Sequence, residues 1–138
     1  MRIKQISVFL ENKKGRLAEV TKLIAEAGID IRAVSIADTA EFGILRLIVN
    51  KPEAAVEAIA KGGFTVKSTD VLAVEIPDKP GSLAKVMEIF EKTGVNIEYL
   101  YASLEKDAST AVVVFKVEDI EHGMRIAVEH KLTTVDKL

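Results

Sequence analysis

The sequence GRLAEVTKLIAEAGIDI at residues 15–31 returns as GSLAKVMEIFEKTGVNI at residues 81–97, and this repetition decides the fold. Six of the seventeen aligned positions are identical, whereas average composition predicts about one. An alternating apolar triplet upstream recurs at the same spacing, as Ile6, Val8 and Leu10 and again as Leu72, Val74 and Ile76. The chain of 138 residues therefore contains two copies of one unit, which we expect at residues 1–69 and 70–138.

Each copy alternates between the periodicity of strands and that of helices. In the first copy, helices are expected from Leu17 and from Pro52, with strands at residues 6–10, 29–37, 44–49 and 64–69. In the second copy, helices are expected after Gly81 and Asp119, with strands at residues 72–76, 95–104, 111–117 and 132–135. We expect the apolar stripes to be core, including Leu17, Leu83 and, on the last helix, Ile120, Met124, Ala127 and Val128.

The resulting order, βαββαβ twice, predicts an α+β fold of two ferredoxin-like units. Each unit should form a four-stranded antiparallel sheet with both helices on one face. A phase shift between Ala33 and Val34 predicts a bulge in the second strand. Small units bury little surface alone, and residues 67–71 lack the composition of a flexible linker. We therefore expect the units to pack side by side, and exposed sheet surface to favour a homodimer.

Composition removes several classes of function. The chain has no Cys, which excludes disulfides and thiolate chemistry, and 19 Lys+Arg against 21 Asp+Glu argue against nucleic-acid binding. No apolar run is long enough to cross a membrane, so a cytoplasmic protein without membrane contact is expected. His122 and His130 have neither the spacing nor the third ligand of a metal site. We find no catalytic residues, no metal site and no cofactor motif.

The segment around Gly81 has the features of an anion site. Pro80 stiffens the loop, Gly81 permits a sharp turn, and the first N–H groups of the following helix are unpaired. Such a helix start binds carboxylate or phosphate. An amide at Asn96, after the helix, offers an acceptor for an ammonium group. Together these features match the carboxylate and ammonium of an amino acid.

The residues Asp78-Lys79-Pro80-Gly81-Ser82-Leu83-Ala84, followed by Gly94-Val95-Asn96-Ile97, resemble the signature of ACT domains. These are βαββαβ regulatory modules that bind amino acids and control amino-acid metabolism. The resemblance covers both copies and implies a tandem ACT protein with the ligand between paired modules. The implied binding residues in the second copy are Asp78, Lys79, Gly81, Ser82, Leu83 and Asn96. Those in the first copy are Asn12, Lys13, Gly15, Arg16, Leu17 and Asp30.

The first copy departs from the pattern, because Lys14 replaces Pro80 and Asn12 replaces Asp78. Its loop is expected to be less stiff and more basic, which would either weaken the site or adapt it to a more acidic ligand. The glycine loops could also be turn and cap chemistry alone. Tyr99 and Tyr101 lie on one side of a strand and would wall a ligand pocket or pack between modules.

The sequence therefore predicts a non-enzymatic amino-acid sensor that binds a small ligand at the interface between modules. The alternative is a regulatory subunit that acts in trans on an amino-acid biosynthetic enzyme. An enzyme on this scaffold ranks last, because no nucleophile with an adjacent base is present. Which amino acid is bound, and which enzyme would be controlled, is not encoded in these motifs.

Overall fold

The computed structural model describes residues 2–38, 41–104 and 109–138, and it divides the chain into two compact units. The N-terminal unit consists of residues 4–69 and Leu138, whereas the C-terminal unit consists of the first three residues and residues 70–137. The start of the chain contacts the C-terminal unit, because the Arg2 guanidinium donates to Asp70 at 3.0 Å and to Glu121.

The N-terminal unit follows the expected order of elements. They are β1 (Arg2–Glu11), α1 (Arg16–Glu26), β2 (Ile31–Asp38), β3 (Phe42–Val49), α2 (Pro52–Lys61) and the first part of β4 (Thr65–Pro77). In its sheet the strand order is β2-β3-β1-β4, and β3 is antiparallel to both β1 and β2. Pro52 begins α2 and Gly62 follows its end, as expected.

The C-terminal unit repeats this arrangement. Its elements after β4 are α3 (Ser82–Lys92), β5 (Ile97–Leu104), β6 (Thr110–Val117), α4 (Ile120–Glu129) and β7 (Thr133–Val135). The strand order is β7-β4-β6-β5, with antiparallel pairing throughout. Asp119 caps α4 as expected, because its carboxylate accepts from the His122 N–H at 3.2 Å.

Strand β4 replaces two predicted strands and the join between them. It runs without interruption for 13 residues, from Thr65 to Pro77, and crosses the boundary between the units at residues 69 and 70. The segment has no Gly and its one Pro is the last residue, so nothing in it prevents an extended backbone. The predicted end of a strand at residue 69 was wrong.

The helices of each unit pack on one face of its sheet. In the N-terminal unit, Val20 and Ile24 of α1 share a buried cluster with Ile59 of α2 and the strand residues Val8 and Leu47. In the C-terminal unit, Phe90 of α3 and Phe115 of β6 meet edge to face, with ring centres 5.3 Å apart. The prediction of antiparallel sheets with helices on one face is therefore confirmed.

Three residues expected in the core, two leucines and one valine, are exposed instead. Leu17 is 44% exposed, Leu83 37% and Val128 57%. The buried stripe of α3 runs through Ser82, Val86 and Phe90 in steps of four residues. Leu83 lies one residue, or about 100°, away from that stripe, and Leu17 is in the equivalent position on α1.

The second strand of each unit contains an irregularity. In β2 the register shifts between Ile31 and Ala33, slightly before the position predicted from the sequence. In β5 an equivalent shift lies between Ile97 and Tyr99, which the apolar pattern did not indicate. Both shifts fall at the strand start, just after the helix.

Candidate functional site

The two loops that lead into α1 and α3 have the same backbone conformation. Gly15 adopts φ 90° and ψ −12°, and Gly81 adopts φ 90° and ψ −11°. These left-handed values are readily available to glycine and costly for other residues. We call residues 12–15 and 78–81 the helix-entry loops.

Backbone hydrogen bonds around the two helix-entry loops also match. The Asn12 N–H donates to the Glu41 carbonyl at 2.9 Å, and the Asp78 N–H donates to the Ser109 carbonyl at 2.7 Å. The exchange of Pro80 for Lys14 therefore does not change the fold of the loop.

The last bond in each loop reaches the first helical residue. The Ser82 N–H donates to the Lys79 carbonyl at 3.3 Å, and the N–H one residue beyond Gly15 makes the same contact with Lys13. Ser82 was expected to offer its N–H to a ligand, so this donor is already engaged, though at a long distance. Within the described part of the chain, the Leu83 and Ala84 N–H groups have no acceptor, and α3 has no side-chain cap. These two donors point to an anion.

A pocket of about 260 Å³ adjoins the helix-entry loop of the N-terminal unit. Three of its eight lining residues are phenylalanines: Phe9 and Phe42, whose ring centres are 5.5 Å apart, and Phe64. The Arg16 guanidinium stands 6.0 Å from the centre of the Phe64 ring. A cation at this distance is attracted to the ring face.

Charged residues in the same pocket are paired with one another. Arg16 forms ion pairs with Glu19 at 3.1 Å and with Glu11 at 3.8 Å. Lys13 contacts Glu11 at 2.8 Å, and this hydrogen bond, followed by the charges of Lys13 and Arg16, lowers the pKa of the Glu11 carboxyl. The basic character expected of this loop is thus largely neutralised.

An equivalent pocket of about 230 Å³ lies in the C-terminal unit. It occupies the same place, between the helix start and the turn that precedes the last strand of the unit, but its chemistry differs. Its polar lining residues are Glu75, Lys79, Ser82, Lys85, Lys131 and Thr133. The aromatic walls of the first pocket are absent from this lining, and three lysines take their place.

Asn96 and Asp30 do not join these pockets. Each lies beyond the far end of an 11-residue helix, which separates it from the helix-entry loop of its own unit by about 16 Å. The Asn96 amide donates to Glu118 at 3.1 Å, whereas the Asp30 N–H donates to the Asn50 side chain at 2.9 Å. Beyond the end of the first helix of each unit, an acidic residue and an amide residue are therefore neighbours. In the C-terminal unit the amide follows the helix, and in the N-terminal unit the acid does.

The remaining residues predicted to bind the ligand or wall its pocket fall into two groups. One group is exposed to solvent, and the other lies on the sheet face away from the helices. Asn12, Lys13, Asp78 and Lys79 are exposed in the helix-entry loops. Tyr99 and Tyr101 pair across the strands with Lys116 and Val114, which lie away from the helices.

Sequence reasoning missed the turn after the second helix of each unit. Gly63 and Phe64 line the first pocket, and Lys131 and Leu132 line the second. The available signal was topological, because the last strand of a βαββαβ unit returns beside the first. That placement brings its preceding turn next to the helix-entry loop.

The described residues contain no group of three or more His, Asp or Glu side chains that would hold a metal ion. Among the helices in the described ranges, none is long and apolar enough to cross a membrane.

Comparison with known protein families identifies this arrangement. A family model described as an ACT domain pair matches residues 1–138. The chain belongs to the ACT domain pair family. It is a pair of ACT modules, a regulatory domain with the α+β fold predicted from its repeat.

Solved structures share this fold. The crystal structure of protein BT0572 from Bacteroides thetaiotaomicron is 40% identical, covers 98% of this chain and 92% of that chain, and superposes with a TM-score of 0.93. The ligand-free regulatory subunit of aspartate kinase from Thermus thermophilus shares the fold at 20% identity, with a TM-score of 0.64 over 91% of this chain and 90% of its own.

One curated relative matches part of the ACT pair. The acetolactate synthase small subunit of Mycolicibacterium smegmatis is 43% identical over 53 residues. This segment is 37% of the present chain and 31% of that subunit. The chain thus matches less than a third of that relative's length.

Proposed function

We propose that this ACT pair is a sensor that binds an amino acid. The observation that carries the proposal is the helix-entry loop, which has the same left-handed glycine and hydrogen bonds in both modules. Gly15 and Gly81 have the same conformation although their neighbouring side chains differ. This is expected if backbone groups, and not side chains, bind the ligand.

The ligand carboxylate is placed on the free N–H groups of Leu83 and Ala84, beside Gly81. The positive end of the α3 dipole favours a negative charge at this position. The ammonium partner, Asn96 or Asp30, is placed on a second copy of the chain, because each lies far from the loop of its own module. The amide of Asn96 would then exchange part of its contact with Glu118 for the ligand.

The test is a thermal-shift screen against the twenty amino acids, followed by calorimetry of the best ligand. The variant Gly81→Val should abolish binding, because a β-branched residue cannot hold φ 90° without strain. A Cβ at Gly81 meets no atom of the described residues within 4 Å, so loss of binding would come from the altered backbone and not from a clash.

The variant Gly15→Val is the matched control for the other module. If both modules bind, each variant removes one site. Equal binding of the wild type and Gly81→Val would refute the placement at α3. Asn96→Leu should weaken binding about tenfold, since an ammonium group loses its acceptor.

A second candidate function is that of a separate regulatory subunit. The 43% identical segment of an acetolactate synthase small subunit favours it, as does the fold shared with an aspartate kinase regulatory subunit. Amino-acid biosynthetic enzymes from the same cell should then change activity when the purified chain and its amino acid are added together. Regulation by the chain without any ligand would favour this role over simple sensing.

We also propose a homodimer. Strands β2 and β5 are the edges of their module sheets, and β2 exposes Val34 at 59% and Ile36 at 46%. Unpaired edges with apolar side chains favour association. Sedimentation should give twice the mass of one chain at micromolar concentration, and a monomer would contradict the proposal.

A further inference from the structure

We infer that the pocket of the C-terminal module is a binding site for a compact dianion of the phosphate type. The pocket lies wholly within one module, between the start of α3 and the turn before β7. The inference concerns a second class of ligand and does not depend on amino-acid binding. The proposed site consists of one buried hydroxyl and three lysines.

Ser82 supplies the hydroxyl. It is the first member of the buried stripe of α3, at a position where Val86 and Phe90 continue into the core, and it is only 6% exposed. Its Oγ is buried without a hydrogen-bond partner among the described residues. A buried unsatisfied hydroxyl is destabilising, so a polar side chain at a core position points to a ligand that satisfies it.

Lys131 provides a second and independent indication. Its φ is 54°, and it is the one non-glycine residue with positive φ in the described ranges. The equivalent residue of the other module is Gly63, with φ 91°, where this conformation carries no steric cost. A lysine kept in a conformation that favours glycine indicates that its side chain is used.

The charge of the pocket is strongly positive. Lys79, Lys85 and Lys131 line it, and none of them forms an ion pair with the described part of the chain. The single acid is Glu75, whose carboxylate accepts a hydrogen bond from the Thr110 hydroxyl at 3.1 Å. The free N–H groups at the start of α3 add to this positive field.

The donor set favours phosphate over a single carboxylate. Ammonium groups act as point charges that can surround a tetrahedral anion, whereas a planar carboxylate is held best by the forked guanidinium of arginine. The pocket volume of about 230 Å³ suits a small metabolite or inorganic phosphate. The equivalent pocket of the N-terminal module has Glu11 and three phenylalanines instead, so it is not expected to bind a dianion.

The test is titration of the full chain with inorganic phosphate, by calorimetry and phosphorus NMR at constant ionic strength. Saturable binding of one phosphate per chain is expected. Lys131→Gly should weaken it about tenfold, the size of one charge-assisted hydrogen bond, and Ser82→Ala should weaken it severalfold. Lys92→Ala is the matched control, because it removes one charge from the other end of α3 and should leave phosphate affinity unchanged.

The variants separate binding from folding. Without phosphate, Lys131→Gly should melt at a higher temperature than the wild type, because it relieves the left-handed backbone, and yet bind phosphate more weakly. Parallel titrations with sulfate and succinate distinguish a tetrahedral dianion from a dicarboxylate. Absence of phosphate binding at millimolar concentration, equal affinity of Lys131→Gly and wild type, or tighter binding of succinate would overturn the inference. The amino-acid calorimetry is run in phosphate-free buffer, because both anions are placed at the start of α3, and its outcome is scored separately.

Discussion

The helix-entry loop of the N-terminal module and that of the C-terminal module share a backbone but not a chemistry. Both turn at a glycine with φ 90°. In the first, Glu11 and Arg16 form an ion pair beside aromatic rings; in the second, Pro77 and Ser82 occupy those positions beside lysines. Duplication has kept the hydrogen-bond frame and changed the side chains that face the pocket.

This difference shows which positions the fold constrains. The main-chain bonds at Asn12 and Asp78 are retained with different side chains, so they belong to the architecture. The residues that line the pockets are free to diverge, and they have done so toward opposite characters. The ligand preference of each ACT module is therefore expected to follow the side chains that line its pocket.

The largest expected effect on the free energy of unfolding comes from substitutions in the hydrophobic cores of the two modules. Phe90 of the C-terminal module corresponds to Ile24 of the N-terminal module, and both are fully or almost fully buried. Phe90→Ala should lower the free energy of unfolding by about 3–5 kcal/mol, because it leaves a cavity against Phe115, and Ile24→Ala should cost about 2–5 kcal/mol. Urea denaturation measures both.

Val128→Ala is the control for these core variants, since Val128 is mostly exposed and its truncation should change stability little. A cost for Val128→Ala as large as that for Phe90→Ala would contradict the burial described here.

The second effect tests the shared backbone. Gly15→Ala and Gly81→Ala should each lower stability by about 1–2 kcal/mol, because both force a Cβ into a left-handed conformation. Neither Cβ would meet another atom within 4 Å, so the two costs should be equal. Unequal melting temperatures would show that the loops differ in a way that their common dihedral angles do not reveal.

Much of the likeness between the two modules could be predicted from the sequence. The repeat around Gly15 and Gly81 predicted the fold, because glycine spacing and apolar periodicity report directly on turns and on the faces of elements. Ser82 and Leu83 show the limit. Which of two adjacent residues faces the core depends on the rotation of the helix over its sheet, and the wrong one was expected inside.

The pockets were beyond sequence reasoning for a similar reason. Lys85 and Lys131 are separated by 45 intervening residues and become neighbours through strand order, and no local motif connects them. The strand end expected at residue 69 was also wrong, because a strand that continues through the boundary has no turn signal there.

The third effect compares the second helices of the modules. Asp119 caps α4 through the His122 N–H, whereas Lys51, at the N-cap position of α2, makes no side-chain cap. Asp119→Ala should therefore destabilise the chain by about 1 kcal/mol. Lys51→Ala is the matched control and should have little effect. Thermal unfolding of both variants measures the difference, which would vanish if the Asp119 contact contributed nothing.

The smallest effect is the pH dependence of the N-terminal loop. Hydrogen bonding from Lys13 lowers the pKa of Glu11 below its ordinary value of 4.5. A group with a lowered folded pKa stabilises the protein above its unfolded pKa and loses that contribution as the pH falls through the folded value. The melting temperatures of wild type and Glu11→Gln should thus converge on acidification below pH 4.5.

The effect at Glu11 should be slight and sensitive to salt, because the pair is exposed. The C-terminal loop has Pro77 at this position, so it lacks the carboxylate that forms the pair in the N-terminal loop. A wild-type chain that stays equally above Glu11→Gln at every pH would contradict the assignment.

Strand β4 has a consequence for cleavage. Proteases cut segments that can leave their surroundings locally, and the junction between two domains is usually such a segment. Here residues 69 and 70 lie in the interior of a 13-residue strand whose two parts belong to different modules. A cut at the junction would divide a strand that is an edge of the N-terminal sheet and an interior strand of the C-terminal sheet, so the chain should resist digestion there.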